Sequence, residues 1–261
     1  MINLQKEQKY YIFSYNRGNL IIDGKKYFFK LIPNNVYGIE TLVENLAKLV
    51  DIKCPHYEYV TINGLNYSLS EDIAGTGDFY TAYELGFFDN SLYDIWNVLE
   101  MQFPDKVSEL MEKIIKIYIF DILLLNDDRN YGNYGFKVND GKIEDVYIFD
   151  NEFSFQTGEV VLSSKLDFKD KLNKRVNIGN IPYELEPSIE ELEYFLSTSS
   201  KEYIDLFNKI YMTLTPEVVK KELDKSLVED KDSLYKIYRE NYLLIERLIN
   251  KRRLKWLKKN I

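Results

Sequence analysis

Hydrophobic positions in this chain follow one rhythm before Leu69 and another after Gly77. Tyr10 to Ser14, Leu20 to Ile22 and Tyr27 to Ile32 are short apolar runs separated by Tyr15-Asn-Arg-Gly-Asn19 and Asp23-Gly24, which predicts a meander of three antiparallel strands. In the third, alternation places Phe28, Lys30 and Ile32 on one face and Tyr27, Phe29 and Leu31 on the other. A lysine there is either an edge residue in solvent or a buried cation with a partner. Ile39, Leu42, Val43, Leu46, Leu49 and Val50 recur at helical spacing, predicting a helix over 39–50 that carries Glu44 and ends before Asp51 and Pro55. Tyr57 to Ile62 and Leu65 to Leu69 flank Asn63-Gly64, the preferred pair for a type I′ hairpin turn.

The small-residue connection over 70–77 is the expected boundary. Beyond it helical patterns dominate, over 78–88, 91–103, 105–125, 188–196, 201–212, 216–225 and 230–259, with loops and a hairpin between the third and fourth. The expectation is an α+β, two-lobed architecture: a small antiparallel-sheet lobe with one helix over 1–73 and a larger, mainly helical lobe over 74–261. No internal repeat or low-complexity tract interrupts it.

Composition narrows the chemistry. A chain of 261 residues with 45% hydrophobic content argues against disorder and suffices for one large or two-lobed domain. Net charge −8 and a pI near 5.0 argue against general attraction to nucleic acid or anionic lipid, so partners should be chosen by a site. Cys54 and His56 are the sole residues of their types, which excludes a disulfide framework and a Cys/His zinc site. Both read as core or loop filler. With no apolar run of signal or membrane-span length, a cytoplasmic setting is expected.

The chemical signal lies in Leu123-Leu-Leu-Asn-Asp-Asp-Arg-Asn-Tyr-Gly-Asn-Tyr-Gly135 and Tyr147-Ile-Phe-Asp-Asn-Glu-Phe-Ser-Phe155. Apolar supports deliver Asp128, Asn133 and Asp150 to one place. An Asp, four residues and an Asn, then a further Asp, is spacing a phosphotransferase can use: one carboxylate orients the accepting hydroxyl, while the amide and second carboxylate hold Mg²⁺ against nucleotide phosphates. Asp127 lacks that spacing and reads as a solvated loop charge. By itself the loop could equally be a polar surface turn. Lys30 and Glu44 add the order and spacing of the lysine–glutamate pair that handles phosphates in kinases. Three other patterns carry less. Gly75-Thr-Gly77 lacks the third glycine and the parallel unit of a dinucleotide fingerprint, with Tyr80 in its place. Asn126, Asp128 and Asn130 alternate like a calcium loop but meet Tyr131 and Lys137 where Gly and Glu are needed. The basic run from Arg247 to Lys259 reads as the solvated face of a terminal helix, with Leu248, Leu254, Trp256 and Leu257 inward.

At Phe29-Lys30, Glu44-Asn-Leu-Ala47, Leu69-Ser-Glu-Asp72, Asp121 to Arg129 with Asn133, and Ile148-Phe-Asp-Asn-Glu-Phe-Ser154, the chain resembles the HipA-like serine/threonine kinases. Their catalytic loop is similar to that of phosphoinositide kinases. The resemblance implies ATP and Mg²⁺ as cofactors, with Asp128 as catalytic base, Asn133 and Asp150 as metal ligands, Lys30 as phosphate-binding lysine and Glu44 as its partner. It groups Arg129 with the catalytic set, places Arg17 and Gly18 in the phosphate-covering loop, and sets adenine against Glu71, Asp72 and Ile73. It further implies a compact kinase core, a protein substrate with a Ser or Thr acceptor, self-modification at Ser14, Ser163 or Ser164, and a toxin paired with an antitoxin or an effector. Asn130 departs from the histidine usual after the Arg; it keeps a loop hydrogen bond and loses a charge. A lipid or small-molecule kinase, a pseudokinase and a scaffold are the alternatives. The mixed cluster of Lys165, Lys169, Lys171, Lys174 and Arg175 with Asp167 and Asp170 does not decide the first, and the intact Lys30, Asp128, Asn133 and Asp150 argue against the other two.

Overall fold

The computed structural model describes residues 10–14, 17–75, 77–87, 92–126, 128–155 and 189–259. Strands β1 (Tyr10–Ser14), β2 (Arg17–Ile22), β3 (Lys25–Leu31), β4 (Tyr57–Ile62) and β5 (Leu65–Glu71) form an antiparallel sheet in the order β1-β2-β3-β5-β4. Asp23-Gly24 and Asn63-Gly64 turn the chain with φ of 49° and 79°, and 51° and 79°, the left-handed pairs that a two-residue I′ hairpin requires. Register follows from these turns. Asn19 opposes Phe28, Phe28 opposes Ser70, Lys30 opposes Ser68, and Ser70 opposes Tyr57, so all six share one face. Leu20, Ile22, Tyr27 and Leu69 form a small buried cluster on the other.

Helix α1 (Ile39–Leu49) buries Ile39, Leu42, Val43, Leu46 and Ala47, whereas Leu49, expected inward, is 46% exposed where the helix ends. The helix starts at Gly38, whose φ is 89°. A Cβ there would fall 2.6 Å from the Val228 amide nitrogen and 2.7 Å from the Leu227 carbonyl carbon, so glycine alone permits this approach. Through it the apolar side of α1 joins one continuous core with the later helices.

Those helices are α2 (Leu92–Gln102), α3 (Val107–Leu124), α4 (Ile189–Thr198), α5 (Lys201–Thr213), α6 (Pro216–Lys225) and α7 (Lys231–Lys259), close to the predicted bounds. Ser200 and Thr215 cap α5 and α6 by accepting from the Tyr203 and Val218 amides. Leu248 is buried as expected; the side chains of Leu254, Trp256 and Leu257 lie outside the described residues. No helix among the described residues is long and apolar enough to cross a membrane.

One predicted helix is a strand instead. β6 (Asp78–Thr81) pairs with β7 (Tyr134–Asn139), which pairs with β8 (Lys142–Ile148), giving a second antiparallel sheet in the order β6-β7-β8. Phe79, Tyr80 and Thr81 have aromatic or β-branched side chains suited to a pleated surface. Opposite them, Gly135 admits the Phe79 ring and the Tyr80 carbonyl where a Cβ would meet both. The Glu84 carboxylate then accepts from the Thr81 amide at 2.8 Å and from its hydroxyl at 2.9 Å, closing a turn where helix was expected. The architecture is α+β, two antiparallel sheets with a helical body, as the hydrophobic pattern indicated.

Candidate active site

The site is hung from the C-terminal end of α3. Leu125, at φ 51°, stops the helix, and Asn241 of α7 donates to the Ile122 and Leu123 carbonyls at 2.9 and 3.0 Å, satisfying acceptors that a helix end leaves open. Asp121, in the last turn, is 1% exposed and accepts from Arg129 Nε at 2.9 Å and Nη2 at 3.1 Å. The same guanidinium donates to the Asn133 carbonyl at 2.5 Å, the Phe149 carbonyl at 3.0 Å and Asn151 Oδ1 at 2.5 Å. Arg129 therefore joins three separated segments: the helix end, the loop after it, and the chain leaving β8. It is fully buried and its donors are spent on protein, which corrects its grouping with the catalytic set. Its part is to position the others.

Within the loop, Asn133 Nδ2 donates to the Asp128 carbonyl at 2.7 Å and to Oδ2 at 2.9 Å. Asn130 donates to Asp128 Oδ1 at 3.3 Å and accepts from the Gly132 amide at 2.8 Å, the loop bond expected of it. Asp128 is thus held by two amides. Asp127 lies outside the described residues, as do Ser163, Ser164 and the Lys165–Arg175 cluster. Asp150 follows β8 in the left-handed region at φ 56°, where its amide donates to the Tyr57 hydroxyl at 3.2 Å.

Lys30 meets Asp150 from the first sheet. Its ammonium donates to Asp150 Oδ1, stands 2.9 Å from Glu152 Oε2 and 3.7 Å from Glu40 Oε1. The predicted partner, Glu44, is elsewhere: it accepts from the Tyr57 amide at 3.0 Å and Lys48 at 2.5 Å, and lies 3.0 Å from His56 Nδ1. Glu40, one turn earlier on α1, faces Lys30 and accepts from the Ser68 hydroxyl. Both glutamates are buried, so helical spacing alone left the choice between them open. Glu152 was likewise unassigned; the only cue was its place two residues after Asp150.

Lys30 and Asp150 line a cavity of about 390 Å³, with Phe28, Ile73, Phe79 and Phe149 among its apolar walls. Glu71, Asp72 and Ile73, expected against adenine, are also in its lining. Arg17 and Gly18 are not: they belong to β2, opposite Lys30 and Phe29, and Asn19 supplies that strand's share of the wall. Tyr15 and Asn16, the rest of the predicted loop, lie outside the described residues.

The electrostatics follow from burial. Desolvation works against the Lys30 ammonium, but Glu40, Asp150 and Glu152 outweigh it and raise its pKa. Burial pushes the Glu40 carboxyl up to about 7 against the opposing pull of Lys30 and Ser68. Burial and then the charge of Asp150 raise Asp128, opposed by its two amide donors. Among the described residues no group of three or more His, Cys, Asp or Glu side chains is arranged to hold a metal ion by itself. Mg²⁺ asks for less, since it takes phosphate oxygens and water beside one or two protein ligands. Asp150 and Asn133 supply hard oxygen donors from two segments clamped by one guanidinium, and Asn133, having committed Nδ2 to Asp128, keeps Oδ1 for a cation. The donor set fits.

No family model matches the chain, and no curated protein matches it. Solved structures do. A Helicobacter pylori proinflammatory kinase, CtkA, superposes with TM-score 0.70 at 19% identity, over 92% of this chain and 94% of that one. HipA, in a Shewanella oneidensis MR-1 toxin–antitoxin complex with HipB and operator DNA, superposes with TM-score 0.58 at 13% identity, over 90% of this chain and 64% of HipA. At such identities the likeness speaks for the fold, which is kinase-like and HipA-like.

Two outcomes follow from the buried charges. Arg129→Ala should lower unfolding free energy by roughly 3–5 kcal/mol, because Asp121 is left buried without its cation, and Arg129→Lys should not restore it, lacking the fork; urea denaturation measures both. Glu40 is protonated in the folded chain at pH values where the unfolded chain has already released that proton. Its contribution is complete below pH about 4.5 and is lost as pH rises through about 7. Relative to Glu40→Gln, the wild-type chain should lose up to about 1.4 kcal/mol per pH unit across that window and no more above it. A stability difference that stays flat from pH 5 to 8 would refute the assignment.

Proposed function

We propose that this chain is an ATP- and Mg²⁺-dependent protein kinase that transfers the γ-phosphoryl group to Ser or Thr hydroxyls. The observation that carries the reading is the meeting of Asp128, Asn133, Asp150 and Lys30 beside a cavity of about 390 Å³, within the volume range of small-molecule sites. The kinase-like fold supports it. Phe28, Ile73, Phe79 and Phe149 offer apolar walls to a purine; the Glu71 and Asp72 amides are bonded to the His56 and Lys26 carbonyls, so the purine edge is assigned to the backbone of Ile73. Lys30 is the only Lys or Arg among the described residues of that lining, so it is the cation for the phosphates. Glu40, in place of Glu44, is the α1 carboxylate beside it, at 3.7 Å.

Asp150 and Asn133 would hold Mg²⁺, which would supply positive charge against the negative charge of the phosphates. Asp128, fixed by the Asn130 and Asn133 amides, orients the acceptor hydroxyl. It takes the proton as the oxygen–phosphorus bond forms and the bond to the departing ADP oxygen breaks. Burial favours this role, since raising a carboxyl above its ordinary range brings it nearer the pKa of an effective base. A regulatory or antitoxin protein is proposed as partner, by analogy with the HipA–HipB assembly.

Purified chain incubated with labelled ATP, Mg²⁺ and a cell extract should label protein at Ser or Thr, read by mass spectrometry. Asp128→Ala should lower the rate about 10²–10⁴-fold while ATP affinity changes little, and Asp127→Ala should do much less. Asp150→Asn should remove the Mg²⁺-dependent part of ATP binding. Loss of transfer in Asp127→Ala with retention in Asp128→Ala would show the wrong aspartate had been chosen. Label found only on phosphoinositide would replace the substrate class.

A further inference from the structure

A metal ion at Asp150 would compete with Lys30 for a carboxylate that the ammonium now contacts through Oδ1. In this structure the ammonium bonds directly to Asp150, and the remaining carboxylates near it are Glu152 Oε2 at 2.9 Å and Glu40 Oε1 at 3.7 Å. Glu40 sits on α1 and accepts from Ser68, so by itself it would draw the ammonium back toward the sheet. Glu152 belongs to the segment that carries Asp150. Apart from the ammonium, its buried Oε2 has no hydrogen-bond partner among the described residues. We propose that Glu152 is a positioning residue that keeps Lys30 over the cleft once Asp150 turns to the metal. The assignment rests on the nucleotide reading above.

Glu152 would then act in two opposing ways. Its charge lies 2.9 Å from the Lys30 ammonium and so opposes phosphates that approach that cation, the only Lys or Arg among the described residues lining the cavity. With metal bound, the same charge holds Lys30 in line with the phosphates. A side chain that merely packed would do neither.

Calorimetry with ATP in EDTA and with ATP in excess MgCl₂, alongside transfer kinetics, separates these effects in wild type, Glu152→Gln and Glu152→Asp. In EDTA the Gln variant should bind ATP roughly tenfold tighter than wild type, as expected for removing one nearby charge. The Asp variant, which keeps the charge, should stay with wild type. In MgCl₂ the Gln variant should turn over roughly 10- to 100-fold more slowly as Lys30 loses its place. A Gln variant that matches wild type in both media overturns the assignment. Unchanged affinity in EDTA with weakened Mg²⁺ dependence overturns it in favour of metal ligation. Wild type that binds ATP in neither medium overturns the nucleotide reading itself.

Discussion

A charge pair with essentially no access to water holds this molecule's functional end together. Arg129 and Asp121 are 0% and 1% exposed, and removing two charges from water is costly unless every donor and acceptor is met. Here they are met, by both Asp121 oxygens, two backbone carbonyls and the Asn151 side chain. A planar guanidinium with donors in a fixed fork suits this task, and a lysine does not. The consequence is geometric. The loop bearing Asp128 and Asn133 enters the β7–β8 hairpin and the segment bearing Asp150 leaves it, meeting at its open end where Tyr134 pairs with Ile148, and the clamp fixes both to one helix.

The rest of the site is an electrostatic problem posed by that clamp. Fixing the two segments brings Asp128 near Asp150, and the first sheet then sets Lys30 among Asp150, Glu152 and Glu40. Carboxylates outnumber the cation in a half-buried region, where charges interact more strongly than in water. Burial relieves part of the excess by favouring protonation of Glu40. The surplus negative charge suits a site built for a divalent cation and unsuits it for bare phosphates. Glu44, although not beside Lys30, still bears on the geometry: it holds the Tyr57 amide, and the Tyr57 hydroxyl holds the amide of Asp150.

Much of this was written in local patterns. The Asp23-Gly24 and Asn63-Gly64 turns fixed hairpin registers, and Lys30 shares a face with Phe28 as alternation predicted, the face that lines the cavity. That Asp128, Asn133 and Asp150 lie close together was legible because spacing within a loop and a hairpin is short-range. What escaped depended on distant partners. β6 was misread because Phe79 to Thr81 can sit in helix or strand, and Gly135, far along the chain, decides. Glu40 and Glu44 share a helix, and only its rotation over β3 tells them apart. Arg129 carried no local sign that it would be fully buried. Arg17 and Gly18, read as loop, belong to β2 because β3 pairs with them.

If the Arg129 clamp presents Asp150 and Asn133 to one metal ion, as proposed, a crystal structure with Mg²⁺ and a non-hydrolysable ATP analogue will show an Asp150 carboxylate oxygen and Asn133 Oδ1 both at roughly 2.0–2.1 Å from the ion, with Arg129 still bound to Asp121 and Lys30 moved from Asp150 to a phosphate. A metal–nucleotide complex seated away from these residues, or one that leaves the Lys30–Asp150 contact intact, would contradict it.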